Sequence, residues 1–213
     1  MRRANKPKPK NTMKKTITKT EDKNIRLNLN HWFRVSSLEN RHDGANWYSD
    51  ARKFTIETAE NFGVDRYKVA AVVSSLSPNN KWERNKIDAI AVIIAWKAGL
   101  DADSVKVCTY GANKRKAFRI LDGELIAETS PKTHAFAMNI AHLSDSHITI
   151  DKWHIRACLC SPDQGIIDTV ETITAKQYRR IERITAEIAH DHGYKGFEFQ
   201  AILWVSIKEA WGR

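Results

Sequence analysis

The chain has 213 residues, 42% of them hydrophobic, and seven tryptophans, which is typical of a folded protein with one core or two small lobes sharing one. It contains no run of about 18 apolar residues and no apolar stretch behind its basic N-terminus, so we expect neither a membrane span nor a secretory signal. Cys108, Cys158 and Cys160 fit no four-ligand zinc or iron–sulfur pattern. We therefore expect a cytosolic protein with reduced thiols, no metal and no cofactor.

The net charge of +10 is concentrated at the N-terminus. Residues 1–24 carry nine Lys or Arg against two acids, which leaves only +3 for the other 189 residues. This segment has no apolar periodicity, so we predict a disordered basic arm over residues 1–24 and a helical domain over 25–213. Such an arm can hold nucleic-acid phosphates without reading sequence. The alternatives are a solubilising tail or a true start at Met13.

Beyond residue 25 the hydrophobic periodicity is helical. Asn46 or a neighbour is expected to open a helix that Gly63 ends, and Asp65 to cap the next one. A further helix ending at Gly99 shows apolar residues at helical spacing, which predict its buried face. These residues are Ile87, Ile90, Ala91, Ile94 and Ala95.

Two stripes near the C-terminus follow the same helical spacing. They comprise Tyr178, Ile181, Thr185 and Ile188, and then Phe199, Ile202, Leu203 and Trp211. Only residues 147–150 look extended, which is too short for a sheet. We therefore predict an all-α fold of nine or ten helices.

Three loops between the predicted helices carry polar residues that could act in chemistry. Pro78, Asn79 and Asn80 form a polar turn between two apolar helices, for which an ordinary turn with a helix cap is the alternative. A second loop could bind phosphate at a helix N-terminus, although solvated charge is the commoner explanation. Its residues are Gly111, Lys114, Arg115 and Lys116. In the third loop Pro131 and Lys132 begin a helix, where partial burial and the helix dipole could lower an amine pKa.

The stretch "ITIDKWHIRACLC" at residues 148–160 ends a β-branched run at one acidic residue, Asp151. Amphipathic helical spacing follows at once, so Asp151 is expected to cap that helix. A carboxylate in this place could also be catalytic, and the local sequence leaves both roles open.

The order and spacing of these pieces resemble the endonuclease III-like branch of the helix-hairpin-helix-GPD DNA glycosylase superfamily. "LSPN", "YGANKRKAFRI", "TSPKTHA" and "ITIDKWHIRAC" follow one another over residues 65–160, and Asp151 and Arg156 keep the family's separation of five. The hairpin glycines, the histidine after the catalytic Asp and the four-cysteine cluster loop of the family are absent. In these departures the pattern is similar to small glycosylase-like proteins of double-stranded DNA phages.

The resemblance implies a two-lobed helical fold and a catalytic pair, Asp151 and Lys132. It also implies that Asn79 fills the place of a flipped base, and it assigns DNA contacts to several other residues. These residues are Asn80, Gly111, Lys114, Arg115, Lys116, Thr133 and Arg156. We take Trp47, Tyr48, Trp82 and Trp153 as candidate base-pocket residues, with core packing as the alternative.

The expected function is therefore that of a DNA glycosylase, with or without strand-nicking lyase activity, acting as a monomer on double-stranded DNA with a flipped base. The base could be damaged or modified. A non-catalytic DNA-binding protein on the same scaffold and a helical interaction protein with a basic arm remain as alternatives. The geometry of Lys132 and Asp151 discriminates among them: convergence within about a hydrogen-bond or one-water reach in a cleft favours the enzyme, and side chains that point apart exclude it.

Overall fold

The computed structural model describes residues 15–164 and 172–211, and in these ranges the regular structure is helical. Nine α-helices are described, which confirms the all-α prediction. They are α1 (Asp22–Val35), α2 (Leu38–Phe62), α3 (Arg66–Leu76), α4 (Trp82–Lys97), α5 (Gly111–Leu121), α6 (Pro131–Ile140), α7 (Lys152–Leu159), α8 (Ala175–Asp191) and α9 (Gly196–Ala210). Short 3-10 helices cover Ile17–Lys19, Ala102–Ser104 and Pro162–Gln164.

The sequence pattern places the start of the helical domain at residue 25. In the structure, the helical domain begins earlier. Ile17 opens the first 3-10 helix with a buried side chain. The guanidinium of Arg180 in α8 donates to the carbonyls of Ile17 and Thr20 at 2.9 and 2.6 Å. Residues 15–24 therefore pack on the domain, because one buried isoleucine and these hydrogen bonds hold them, whereas residues 1–14 of the predicted arm lie outside the described residues.

The predicted end of α2 and the predicted start of α3 agree with the structure. Gly63 ends α2 in the left-handed conformation at φ 59°, and the Asp65 carboxylate caps α3 by accepting from the Lys68 amide at 3.0 Å. The predicted start at Asn46 is wrong, because α2 begins eight residues earlier. The Ser37 hydroxyl caps it there by accepting from the Asn40 amide.

The predicted buried face of α4 is wrong except at Ala95, which is buried. Ile87 and Ile94 are 57% and 51% exposed, whereas Asn85 and Asp88 are buried together with Ala89, Val92 and Ile93. The polar pair can be buried because both side chains have hydrogen-bond partners. Asn85 donates to the Val73 carbonyl at 3.0 Å, and Asp88 accepts from Arg84, Asn80 and the Cys108 amide.

The core divides into two clusters of buried side chains. The first cluster contains side chains from the five helices α2, α3, α4, α5 and α6 and from the start of α9. The second contains side chains from α1, α7, α8 and most of α9. The C-terminal stripes lie in the second cluster as predicted, except that Trp211 is only partly buried. Helices α2 and α9 cross closely at Gly44, where an added Cβ would lie 2.3 Å from the Ile202 Cα. This crossing fixes the relative position of two helices that both line the cleft described below.

None of the described helices combines the length and the apolar character needed to cross a membrane.

Candidate active site

A cleft of about 1010 Å³ lies between the two hydrophobic clusters. Tyr48 and Phe136 of the first cluster and Trp153 and Tyr178 of the second all line it. Its walls come from α2, the turn between α3 and α4, the starts of α6 and α7, and α9. Most of the site residues predicted from the sequence meet here. They are Asn79, Asn80, Lys132, Thr133 and Asp151, with the aromatic residues Trp47, Tyr48, Trp82 and Trp153.

Asp151 is the N-cap of α7, as the sequence predicts. Its carboxylate accepts from the His154 amide at 2.9 Å. The extended segment before it is held from α8, since the Tyr178 hydroxyl donates to the Ile148 carbonyl at 2.7 Å and accepts from the Ile150 amide at 3.1 Å. The segment that places Asp151 at the cleft is therefore held by the Tyr178 hydroxyl before Asp151 and by α7 after it.

The electrostatic environment of Asp151 combines burial with opposing positive charge. Burial raises the pKa of the Asp151 carboxyl, and the hydrogen bond from the His154 amide and the charge of Lys132 act in the opposite direction. Lys132 is therefore close enough to influence Asp151 across the cleft. Lys132 and Asp151 line the same cleft, and their role as a catalytic pair stays a prediction.

Lys132 lies in the first turn of α6, after Pro131 at the first helical position. Ser130, the N-cap, makes no side-chain capping hydrogen bond, and its ψ of 65° differs from the extended value of the Asp151 cap. Thr133 follows, and its carbonyl accepts from the Ser74 hydroxyl at 2.7 Å, which ties α6 to α3. The first amide groups of α6 thus open into the cleft without a capping side chain.

Asn79 is at the exposed tip of the turn between α3 and α4. Its backbone has φ 58°, a left-handed conformation that asparagine tolerates better than most residues. The Asn79 amide donates to the Tyr110 hydroxyl at 3.0 Å, and Thr109 donates to the Pro78 carbonyl at 3.2 Å. The turn is therefore braced by the segment that leads into α5.

Asn80 has a structural role in the same turn. Its amide donates to the buried Asp88 carboxylate at 2.9 Å, and the Cys108 amide donates to the same carboxylate at 2.8 Å. Asp88 thereby joins the turn to the segment before α5. Asn80 lines the cleft, but its side-chain amide already has a partner in α4.

The aromatic residues form a continuous wall of the cleft. The ring of Trp47 lies 4.9 Å from that of Tyr48, 5.1 Å from Trp82 and 5.9 Å from Trp204, measured between centroids. The Tyr48 hydroxyl donates to Gln200 at 3.1 Å. Tyr48 and Trp153 are nearly buried and also line the cleft, so they belong to the core, and their role as base-pocket residues stays a prediction.

The structure does not place the other predicted DNA contacts in the cleft. Lys114 donates to the Val105 carbonyl at 2.7 Å, and Arg115 lies 3.6 Å from Asp103, so both interact locally at the start of α5. Gly111 and Lys116 are on the same helix and outside the cleft lining. The Arg156 guanidinium carbon lies 4.8 Å from the centre of the Trp153 ring. These residues stay predictions as DNA contacts.

Several residues that line the cleft are not predicted as site residues from the sequence. They include Phe136, Tyr178, Gln200, Trp204 and Lys208. Trp204 and Lys208 are four residues apart on α9, and the Lys208 ammonium lies 3.9 Å from the Trp204 ring centre. The spacing of an aromatic and a lysine one helical turn apart could have signalled this pair, but it does not indicate that the pair faces a cleft.

Other titratable groups near the cleft are less suited to chemistry. Burial lowers the pKa of His154 to about 3, so this histidine is neutral at physiological pH. One of its ring nitrogens pairs with the Thr185 hydroxyl at 2.8 Å. In the part of the chain that the structure describes, no three His, Cys, Asp or Glu side chains are grouped so that they could hold a metal ion.

Comparison with known proteins places the chain in a family without an assigned role. The model of a family of unknown function, DUF7178, matches residues 11–211, so the chain belongs to that family. No curated protein and no solved structure matches the chain.

Proposed function

Starting from membership of a family of unknown function, we propose that the protein is a DNA N-glycosylase that removes or reworks a damaged or modified base turned out of duplex DNA. The observation that carries this proposal is the shared cleft of Asp151, Lys132 and Asn79. The two hydrophobic clusters on either side of the cleft suit the two-lobed arrangement that the sequence resemblance implies.

Asp151 is suited to stabilise the transition state of base release. Cleavage of an N-glycosidic bond develops positive charge on the sugar, and a carboxylate fixed beside it lowers the barrier. The hydrogen bond from the His154 amide orients the Asp151 side chain without a mobile partner. Burial raises the pKa of Asp151 because water solvates the buried carboxylate poorly. For the same reason, the attraction between the ionised carboxylate and a sugar cation is stronger there than in water.

Asn79 and the aromatic wall suit the capture of a flipped nucleotide. Turning a base out of the duplex costs a few kcal/mol, and a side chain that enters the gap offsets part of that cost. Asn79 projects from an exposed turn that is braced by Tyr110. The rings of Trp47 and Trp82 offer apolar faces to an extrahelical base.

The charge of the cleft also favours a polyanion. Four lysines line it against two acids, Asp151 and Glu83. The lysines are Lys81, Lys132, Lys152 and Lys208. At the start of α6, backbone amides without a capping side chain can bind a phosphate, and Lys132 can neutralise it.

Lyase activity would require a nucleophilic amine in this site. A neutral lysine at C1′ forms a Schiff base, after which β-elimination nicks the strand. Two cleft lysines on different helices, Lys132 of α6 and Lys208 of α9, are candidates for that amine. Base release itself requires only Asp151 and an attacking water.

The test is direct measurement of base release. Duplex oligonucleotides, each with one damaged or modified base, are incubated with the full-length protein, and abasic sites are revealed by hot alkali. We expect release from at least one substrate, and its loss in Asp151→Asn. Binding of every duplex without release from any would instead favour a non-catalytic DNA-binding protein.

A further inference from the structure

Lys208 is a lysine of α9 that faces the cleft rather than bulk solvent. Its side chain is partly buried, and its ammonium lies 3.9 Å from the centre of the Trp204 ring. Among the described residues its ammonium has neither a hydrogen-bond acceptor nor an ion-pair partner. A lysine held over an aromatic face in a cleft, with its hydrogen bonds unused, has an amine that is positioned and still available to a ligand.

The charged neighbours of Lys208 connect it to the proposed catalytic carboxylate. Burial lowers the pKa of Lys208, the nearby charge of Lys81 acts in the same direction, and Asp151 opposes both. Lys208 and Asp151 are therefore close enough to influence one another within one cleft. Burial and a neighbouring cation both favour the neutral form of a lysine amine, which is the nucleophilic form.

Lys132, the lysine to which the sequence resemblance assigns the amine, has different surroundings. Its side chain is exposed, and it stands in the first turn of α6 beside amides that have no capping side chain. Those surroundings suit a phosphate of the DNA backbone, since a helix N-terminus and an ammonium both attract an anion.

We infer that Lys208 is the amine that attacks the sugar, and that Lys132 holds the neighbouring phosphate. This inference rests on the proposed glycosylase function. In the step itself, the lone pair of the neutral Lys208 Nζ adds to the C1′ aldehyde of an abasic sugar and forms a carbinolamine. The carbinolamine hydroxyl leaves as water with a proton from solvent, which gives a protonated Schiff base. Borohydride then transfers hydride to C1′ and fixes a secondary amine.

The experiment uses duplex DNA with a single abasic site, so that it does not depend on knowing which base the protein recognises. The full-length protein is mixed with this duplex and sodium borohydride, the covalent adduct is counted on a denaturing gel, and the modified lysine is located by peptide mass spectrometry. The variants are Lys208→Gln, Lys208→Arg and Lys132→Gln. Lys208→Arg is the matched control, because it keeps the charge and the contact with Trp204 but has no nucleophilic amine.

We expect the wild-type adduct on Lys208 and at least a tenfold loss of adduct in both Lys208 variants. In Lys132→Gln we expect weaker DNA binding, with the adduct still on Lys208. DNA binding by Lys208→Arg, measured by fluorescence anisotropy, should stay within about twofold of wild type. An adduct on Lys132 or on any other amine, or no adduct at all, would overturn the inference.

The outcomes distinguish a failure of the proposed role of Lys208 from a failure of the proposed glycosylase function. Base release that persists in Lys208→Arg with unchanged adduct refutes the role of Lys208 and leaves the glycosylase intact. An adduct on Lys208 without release of any base refutes the glycosylase and leaves an abasic-site enzyme.

Discussion

Two of the helices that begin at the cleft, α6 and α7, have N-termini that are built in opposite ways. At α7 the Asp151 carboxylate caps the helix by accepting from the His154 amide, whereas at α6 Ser130 makes no side-chain cap and Lys132 occupies the first turn. One end therefore presents a negative charge to the cleft and the other presents backbone amides and a positive charge. Both ends line the same cavity.

The difference shows that a helix N-terminus can have two different chemical roles. A helix N-terminus attracts negative charge, and that attraction can be satisfied from within the chain or left for a ligand. At α7 the protein supplies its own carboxylate, which is thereby fixed where a sugar cation would form. At α6 no side chain fills that place, and under the proposed function a DNA phosphate has the charge and the acceptors to fill it.

The largest effect is expected from removing the charge at α7. Asparagine caps about as well as aspartate, so Asp151→Asn keeps the shape and the cap while it loses the carboxylate. We expect single-turnover base release to fall by roughly two orders of magnitude or more, because the sugar cation loses its counter-charge. Asp65→Asn is the matched control, since Asp65 caps α3 away from the cleft and its change should leave activity unaltered.

The same variant should respond to pH in a defined direction. Burial raises the pKa of Asp151, so the folded protein loses stability as pH rises from the ordinary Asp pKa through the raised one. Asp151→Asn carries no such penalty, and its melting temperature should match wild type in acid and equal or exceed it near neutral pH. Full activity of Asp151→Asn would contradict the catalytic role and reduce Asp151 to a helix cap.

A smaller effect is expected from making α6 resemble α7. Ser130→Asp places a carboxylate at the uncapped end, where its negative charge repels a phosphate. We expect affinity for an abasic duplex to fall about tenfold at low salt, measured by fluorescence anisotropy. Ser130→Asn, which has the same shape without the charge, should bind within about twofold of wild type. Equal affinity of the two variants would show that no phosphate approaches this end.

The smallest effect is expected from neutralising one phosphate contact. Lys132→Gln should weaken binding a few-fold for all duplex sequences and reduce the slope of log affinity against log salt by about 1. Lys53→Gln is the control, because Lys53 is exposed on α2, near Glu57, and is remote from the cleft lining. An unchanged slope in Lys132→Gln would place the phosphate elsewhere.

Some features of the site could be read directly from local sequence. The cap at Asp151 and the turn at Asn79 were predicted correctly, because a cap or a turn depends on a few neighbouring residues and on the hydrogen bonds they can make. The α4 face was mispredicted for the opposite reason. A hydrophobicity pattern places Asn85 and Asp88 outside, and only their partners in α3 and in the loop before α5 make burial of these side chains favourable.

The amino-acid sequence by itself determined that this protein is helical, where α3 and α7 begin and where α2 ends. Only the tertiary structure decided that α9 joins the site, bringing Trp204 and Lys208 to a cleft with Asp151. Spacing along the chain cannot reveal this, because Lys208 is 57 positions after Asp151. Their approach depends on how α9 packs on α2 and α7, and close packing at Gly44 sets part of that arrangement.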